Sequence, residues 1–324
     1  MSSSLPQGEN VKFAGFRTSS CVLCLCAIVL VATSCAGDKP SPAPKRRDSS
    51  LRVLTLNLMQ KSAVAGRDER FEKIAQFVKA RQDEGRPVDV LLLQEGCSGV
   101  WVGTSDSLND LRKTLARNSL GYEVYSQPCF GVPVFLQFRV GILSNEKILY
   151  SDSRELPCRV GDWLDDCPLP GRKRAVMAGI AHPIGRVNLF TTHLASGGRA
   201  QDKEQQAKDL LRFIGDVSAK HPADLTVLGG DMNTYPDTPV YKLLAMELTD
   251  SFAKANPNCP GPTFNLPGNP HCKGYKGDPR RIDFIFFKGK DIEVESGEVV
   301  FNTEDWFVSD HCGVLTTFRR EARK

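Results

Sequence analysis

Past residue 50 the chain alternates short apolar runs with stretches of helical periodicity. Runs at 51–56, 88–93, 134–143, 187–192, 225–228, 282–286 and 313–318 have the length and the β-branched or aromatic content of strands. Between them, 69–81 puts Phe71, Ile74, Phe77 and Val78 on one helical face. Leu108, Leu111 and Leu115 form a second stripe, and 201–217 turns Leu210, Leu211, Phe213 and Ile214 inward. Strands that are apolar almost throughout are buried on both faces, so helices should flank packed sheets. Neither an internal repeat nor a further linker breaks the pattern, and one large α/β domain over 51–324 is expected.

The first 50 residues read differently. Lys12 and Arg17 precede an apolar run from Cys21 to Ala32, followed by Thr33, Ser34 and Cys35. That run is too short for a bilayer span, which takes about 20 residues, and fits the core of an export signal over 1–35. Ala32-Thr33-Ser34-Cys35 resembles a bacterial lipoprotein box, with Ala32 where Leu is usual; the resemblance implies lipidation at Cys35, with plain secretion as the alternative. Residues 36–50, with Pro40, Pro42 and Pro44 among Ser, Lys and Arg, suit a disordered tether. The expected location is the bacterial envelope or beyond it.

Export bears on the cysteines. Cys97, Cys129, Cys158, Cys167, Cys259, Cys272 and Cys312 follow Cys35 without the paired spacing of zinc sites. In an oxidising compartment, Cys158–Cys167 and Cys259–Cys272 would close short loops, Cys97–Cys129 is a weaker pair, and Cys312 stays a buried thiol.

Composition is that of a globular protein: 324 residues, 41% apolar and 25% charged. Lys and Arg exceed Asp and Glu by 42 to 38. Six of those cations (Lys12, Arg17, Lys39, Lys45, Arg46, Arg47) but only three of the acids (Glu9, Asp38, Asp48) precede Leu51. The remainder is nearly neutral, which argues against a dedicated nucleic-acid binder.

The chemistry lies where the strands end. Asn57 ends the first run, Glu95 follows Leu93-Gln94, and His193 follows Thr191-Thr192. Asp231 and Asn233 follow Gly229-Gly230, Asp283 interrupts the 282–286 run, and Asp310-His311 follow Val308-Ser309. Each has an ordinary reading alone, as a turn residue, a cap or an ion-pair partner. Asp283 is the hardest to explain that way, because an unpaired inward carboxylate is costly. Together they would make one pocket of carboxylates, amides and imidazoles. Such oxygen donors without thiolate suit Mg2+, or Mn2+, rather than zinc, and equip a site for phosphoryl transfer to water.

This ordered set, with Gln94-Glu95, Thr192-His193-Leu194, Gly230-Asp231-Met232-Asn233, Arg281-Ile282-Asp283 and Ser309-Asp310-His311, resembles the endonuclease/exonuclease/phosphatase superfamily. The resemblance implies a four-layer α-β-β-α sandwich. It implies Glu95 as principal metal ligand with Asn57 nearby and Asp310 close to the metal, and His311 as general base held by Asp283. Asp231 and Asn233 would orient water and phosphate, and His193 would stabilise the phosphate or assist the leaving group.

Asn57-Leu58-Met59, Thr234-Tyr235-Pro236-Asp237-Thr238-Pro239, Pro262-Thr263-Phe264 and Asn269-Pro270 resemble the neutral sphingomyelinase branch. That implies a membrane sphingolipid as substrate, cleaved to ceramide and a phosphorylated head group. Trp101, Trp306 and Phe307, close in sequence to the site, are then candidates for membrane contact. The rivals are a secreted Mg2+-dependent endonuclease gripping nucleic acid through Arg172-Lys173-Arg174, an inositol-phosphate phosphatase, and a non-catalytic surface binding protein.

Overall fold

A computed structural model describes residues 49–59, 66–156, 173–197 and 199–321. Cys35 and the Cys158–Cys167 pair lie outside the described residues. All the described residues belong to the unit Arg46–Lys324.

In chain order the strands are β1 (Leu51–Asn57), β2 (Val90–Ser98), β3 (Glu123–Val132), β4 (Leu136–Ser144), β5 (Ile148–Leu156), β6 (Lys173–His182), β7 (Gly185–His193), β8 (Leu225–Asp231), β9 (Thr249–Asp250), β10 (Asp283–Gly289), β11 (Ile292–Val300) and β12 (Gly313–Arg320). The helices are α1 (Arg67–Asp83), α2 (Ser107–Arg117), α3 (Ala200–Lys220), α4 (Pro239–Glu247) and α5 (Ser251–Ala255). Two six-stranded sheets result, ordered β11-β12-β1-β2-β4-β3 and β5-β6-β7-β8-β10-β9.

Three apolar clusters divide the molecule into the expected layers. One, with Leu51, Val53, Val90, Leu92, Val187, Leu189, Leu225, Val227 and Ile285, fills the space between the sheets. A second joins Leu54, Leu56, Leu91 and Leu93 to Phe71 and Ile74 of α1 and Leu108 and Leu111 of α2. A third joins Phe190, Leu228, Phe284 and Phe286 to Leu210 and Phe213 of α3 and Leu244 of α4. Successive residues of the inner strands thus face opposite layers, which is why those runs are apolar without alternation.

Each sheet has the same centre. β1 and β2 are parallel, crossing over through α1, and β12 runs antiparallel beside β1. β7 and β8 are parallel, crossing over through α3, and β10 runs antiparallel beside β8. The carboxyl ends of both parallel pairs and the amino ends of β10 and β12 therefore meet at one end of the sandwich.

The structure departs from expectation at the edges and at the cysteines. The run at 134–143 begins its strand only at Leu136, because Val134 and Phe135 lie in the turn of the β3–β4 hairpin, with Phe135 N donating to Val132 O. Cys259 and Cys272 are not joined: Cys259 is exposed, while Cys272 is buried with its thiol 3.3 Å from Asp310 O. Cys97 and Cys129 are also free thiols, and Cys312 is the buried thiol expected. Among the described residues no helix is long and apolar enough to cross a membrane.

Candidate active site

The site continues the inner-face rows of the sandwich. Leu51 and Val53 lie between the sheets, and the period of two carries that face on through Thr55 to Asn57. The same count runs from Val187 and Leu189 to His193, from Leu225 and Val227 to Asp231, and back from Phe287 and Ile285 to Asp283. Polar groups replace the apolar ones at the end where the strand ends meet. Gly229 permits this approach, since a Cβ there would lie 2.5 Å from Leu92 Cδ1 of the other sheet. Gln94 then donates across the gap to Thr191 Oγ1 at 2.8 Å.

Glu95 is re-aimed by the backbone. The β2–β4 register shifts between Leu93 and Gly96, and Glu95 takes φ 51, a left-handed conformation at a bulge. Asn57 Nδ2 donates to Glu95 Oε1 at 3.2 Å and to Asp231 Oδ2 at 3.0 Å, while its Oδ1 accepts from Met59 N. In this geometry Asn57 positions the carboxylates through its NH2. Asp231 pairs in register with both His193 and Asp283. Its Oδ1 accepts from Asn233 N at 2.9 Å, and its Oδ2 lies 3.5 Å from His193 Nε2 and 3.8 Å from His311 Nε2. Asn233 donates its side-chain amide to Leu194 O.

His311 and Asp283 form a buried pair, Nδ1 to Oδ2 at 2.9 Å. Thr263 donates to the same Oδ2 at 2.6 Å, and its hydroxyl accepts from Ile282 N and Asp283 N. The ring of Phe264 lies 4.9 Å from the His311 ring. Asp310 is held beside them by Ser309 Oγ, which donates to its Oδ1 at 3.2 Å. Thr263 carries no signal of its own in the sequence beyond the Pro262-Thr263-Phe264 resemblance.

The electrostatics follow from burial. Burial alone would lower the His311 pKa, but Asp283 and Asp231 outweigh it and raise it well above the usual imidazole range. Asp231 is raised above the carboxylate range, first by burial and also by the charge of Asp283, against His311. His193 is pushed well below the usual range by burial, then by Lys173 and His311, and so is neutral.

A cleft of about 590 Å3 opens over these groups, bringing Glu95, His193, Asp231, Asn233, Asp310 and His311 together. Phe130, Phe138, Tyr235, Phe264 and Tyr275 also line it, with Lys173, Lys203, Lys276 and Arg280. The donors fit a hard cation: the carboxylates of Glu95, Asp231 and Asp310 line the cleft, and no cysteine does among the described residues. The buried Asp283 Oδ1 has no hydrogen-bond partner in the structure. Of the expected membrane-contact residues, Trp101 is exposed and Trp306 half-covered by an edge contact with Phe77. Phe307 is buried, so it has no ring to offer a lipid surface.

The model of the Endonuclease/Exonuclease/phosphatase family matches residues 54–311, from β1 to the last of these site residues. The chain belongs to that family. Its members are phosphoesterases, and this protein has their fold. Among solved structures it resembles an endonuclease/exonuclease/phosphatase family protein from Leptotrichia buccalis, with TM-score 0.64 and 19% identity over 84% of this chain and 100% of that one. The family member from Beutenbergia cavernae has TM-score 0.62 and 22% identity over 85% and 72%. D. rerio TDP2, complexed with single strand DNA product, has TM-score 0.62 and 18% identity over 84% and 100%. No curated protein matches the sequence.

Proposed function

We propose that this protein is a divalent-cation-dependent phosphodiesterase in which water attacks phosphorus directly, and that its substrate is a sphingomyelin-type lipid, cleaved to ceramide and a phosphorylated head group. The observation that carries the reading is the Asp283–His311 pair set 3.8 Å from Asp231 under one cleft with Glu95 and Asp310. Asp283 holds the Nδ1 side of the imidazole, leaving Nε2 to take the proton of the attacking water. Asp231 and Asn233 orient that water and the phosphate, and neutral His193 offers an N–H to a phosphoryl or leaving oxygen. Glu95, Asp310 and Asp231 would hold Mg2+ or Mn2+, with Asn57 beside them. When bound, the cation would neutralise phosphoryl charge and offset the carboxylates that keep His311 protonated.

The lipid reading has its own support. Tyr235 and Phe264, from segments that resemble sphingomyelinases, line the cleft. Beyond its Phe130–Phe138 wall, the β3–β4 turn meets the segment after β2 through Val100 N to Val134 O and Trp101 N to Phe135 O. The resulting prong exposes Val100, Trp101, Val134 and Phe135 by 64%, 68%, 70% and 47%, an apolar tip suited to peripheral membrane contact.

A nuclease is the second reading, favoured by Lys203, Lys276 and Arg280 along the cleft and by the likeness to the TDP2 fold. The near-neutral chain weighs against it. Hydrolysis of sphingomyelin liposomes, plasmid DNA and bis(p-nitrophenyl) phosphate should be compared in Mg2+, Mn2+, Ca2+ and chelator. Sphingomyelin turnover that chelator abolishes is expected. DNA turnover alone would overturn the lipid reading, and inactivity on all three the phosphodiesterase.

A further inference from the structure

Lys173 differs from the other cations of the cleft. Lys276 and Arg280 are exposed and half-buried Lys203 donates to Ser196 O and Asn233 O, whereas Lys173 is 2% exposed at the first position of β6. A desolvated ammonium is costly unless an anion meets it. Among the described residues no carboxylate lies within ion-pair distance. Its Nζ instead lies 4.8 Å from the centre of the Phe130 ring, which stacks at 4.3 Å on Phe138. A ring face holds a cation but does not neutralise it. Lys173 and both rings line the same cleft as Glu95, His193 and Asp231. Among the described residues its ammonium thus has no ion-pair partner, and it sits in the wall of a cleft lined by carboxylates.

We infer that Lys173 is a further catalytic residue, whose ammonium contacts a non-bridging oxygen of the phosphodiester and meets the charge that grows there as water attacks. Phe130 seats the side chain so that its charge faces the phosphoryl group rather than solvent. This rests on the phosphodiesterase reading but not on the choice between lipid and nucleic acid, because every phosphodiester carries that oxygen. One aimed donor of this kind is worth on the order of 10²–10³ in kcat.

The test uses the full chain with saturating Mg2+ and bis(p-nitrophenyl) phosphate. Lys173→Met removes the charge and keeps the stem, so kcat should fall about 100-fold while the melting temperature holds or rises, since an unpaired buried cation is lost. A structural lysine would lower both. Lys173→Ala should regain activity with n-propylammonium at constant ionic strength, an effect absent from the wild type. Wild-type kcat in Lys173→Met, or joint loss of kcat and melting temperature without amine rescue, would overturn the inference alone. If the wild type hydrolyses no diester, the phosphodiesterase reading fails instead. Titration with inorganic phosphate then decides Lys173: weaker binding to Lys173→Met supports the contact, and equal binding overturns it.

Discussion

Asn57 at the end of β1 donates its side-chain amide to Asp231 at the end of β8, 3.0 Å away, so one hydrogen bond ties the two sheets together at the base of the cleft. The same nitrogen holds Glu95. Asn57→Ala removes one donor from buried Asp231 and from half-buried Glu95 and should cost about 1–3 kcal/mol, read as a lower melting temperature. An unchanged melting curve would mean that water replaces the amide.

The Asp283–His311 pair should dominate the pH behaviour. Asp283→Asn keeps the shape but removes the charge, and kcat is expected to fall on the order of 10³–10⁴, as when a catalytic imidazole loses its carboxylate. The raised His311 pKa means that the folded state binds this proton more tightly than the unfolded chain does. Its contribution to stability is full below about pH 6.5 and is lost as pH rises through the folded value. In chelator, the gap in melting temperature between wild type and His311→Gln should therefore be wider at pH 6 than at pH 9. A gap independent of pH would show that the pair is not ionised as described.

Glycines separate strain from mere looseness. A Cβ on Gly230, at φ 156, would come within 2.1 Å of Thr192 O. Gly230→Ala should cost about 1–3 kcal/mol through overpacking and displace Asp231 from His193, lowering kcat as well. In α3 a Cβ on Gly215 meets nothing within 4 Å, so Gly215→Ala should add about 0.5–1 kcal/mol. Chemical denaturation of both variants checks the contrast.

Thiol chemistry tests the cysteine assignment. Alkylation of the native protein should label exposed Cys259 first and reach Cys272 and Cys312 only after unfolding. A peptide linking Cys259 to Cys272 in a non-reduced digest would contradict the structure.

The inner strands were legible because burial on both faces leaves them apolar throughout. The outer ones were not. β3, β5 and β11 lie at sheet edges and carry Glu123, Asp152, Arg154, Glu293 and Glu295, so no apolar run marks them. β6 is internal, but Ala175, Ala178 and Gly179, residues of low strand propensity, interrupt its buried Val176, Met177 and Ile180.

The site divides in the same way. Asn57, His193, Asp231 and Asp283 were legible because each is a polar group at the end of an apolar strand. Thr263 was not assigned a role, since only the pairing of its loop with Arg280 brings it to Asp283. Lys173 was hidden in the basic triplet Arg172-Lys173-Arg174. Alternation along β6 buries Lys173 while Arg174 reaches out to Glu155 at 2.9 Å.

Each sheet brings only half of the reactive groups: Asn57, Glu95 and His311 come with one, His193, Asp231 and Asp283 with the other. Neither half can work by itself. A partly melted form that kept one sheet intact would still give a strong β-sheet spectrum and yet turn over nothing. Turnover is thus a more sensitive gauge of how the halves are mated than any measure of secondary structure.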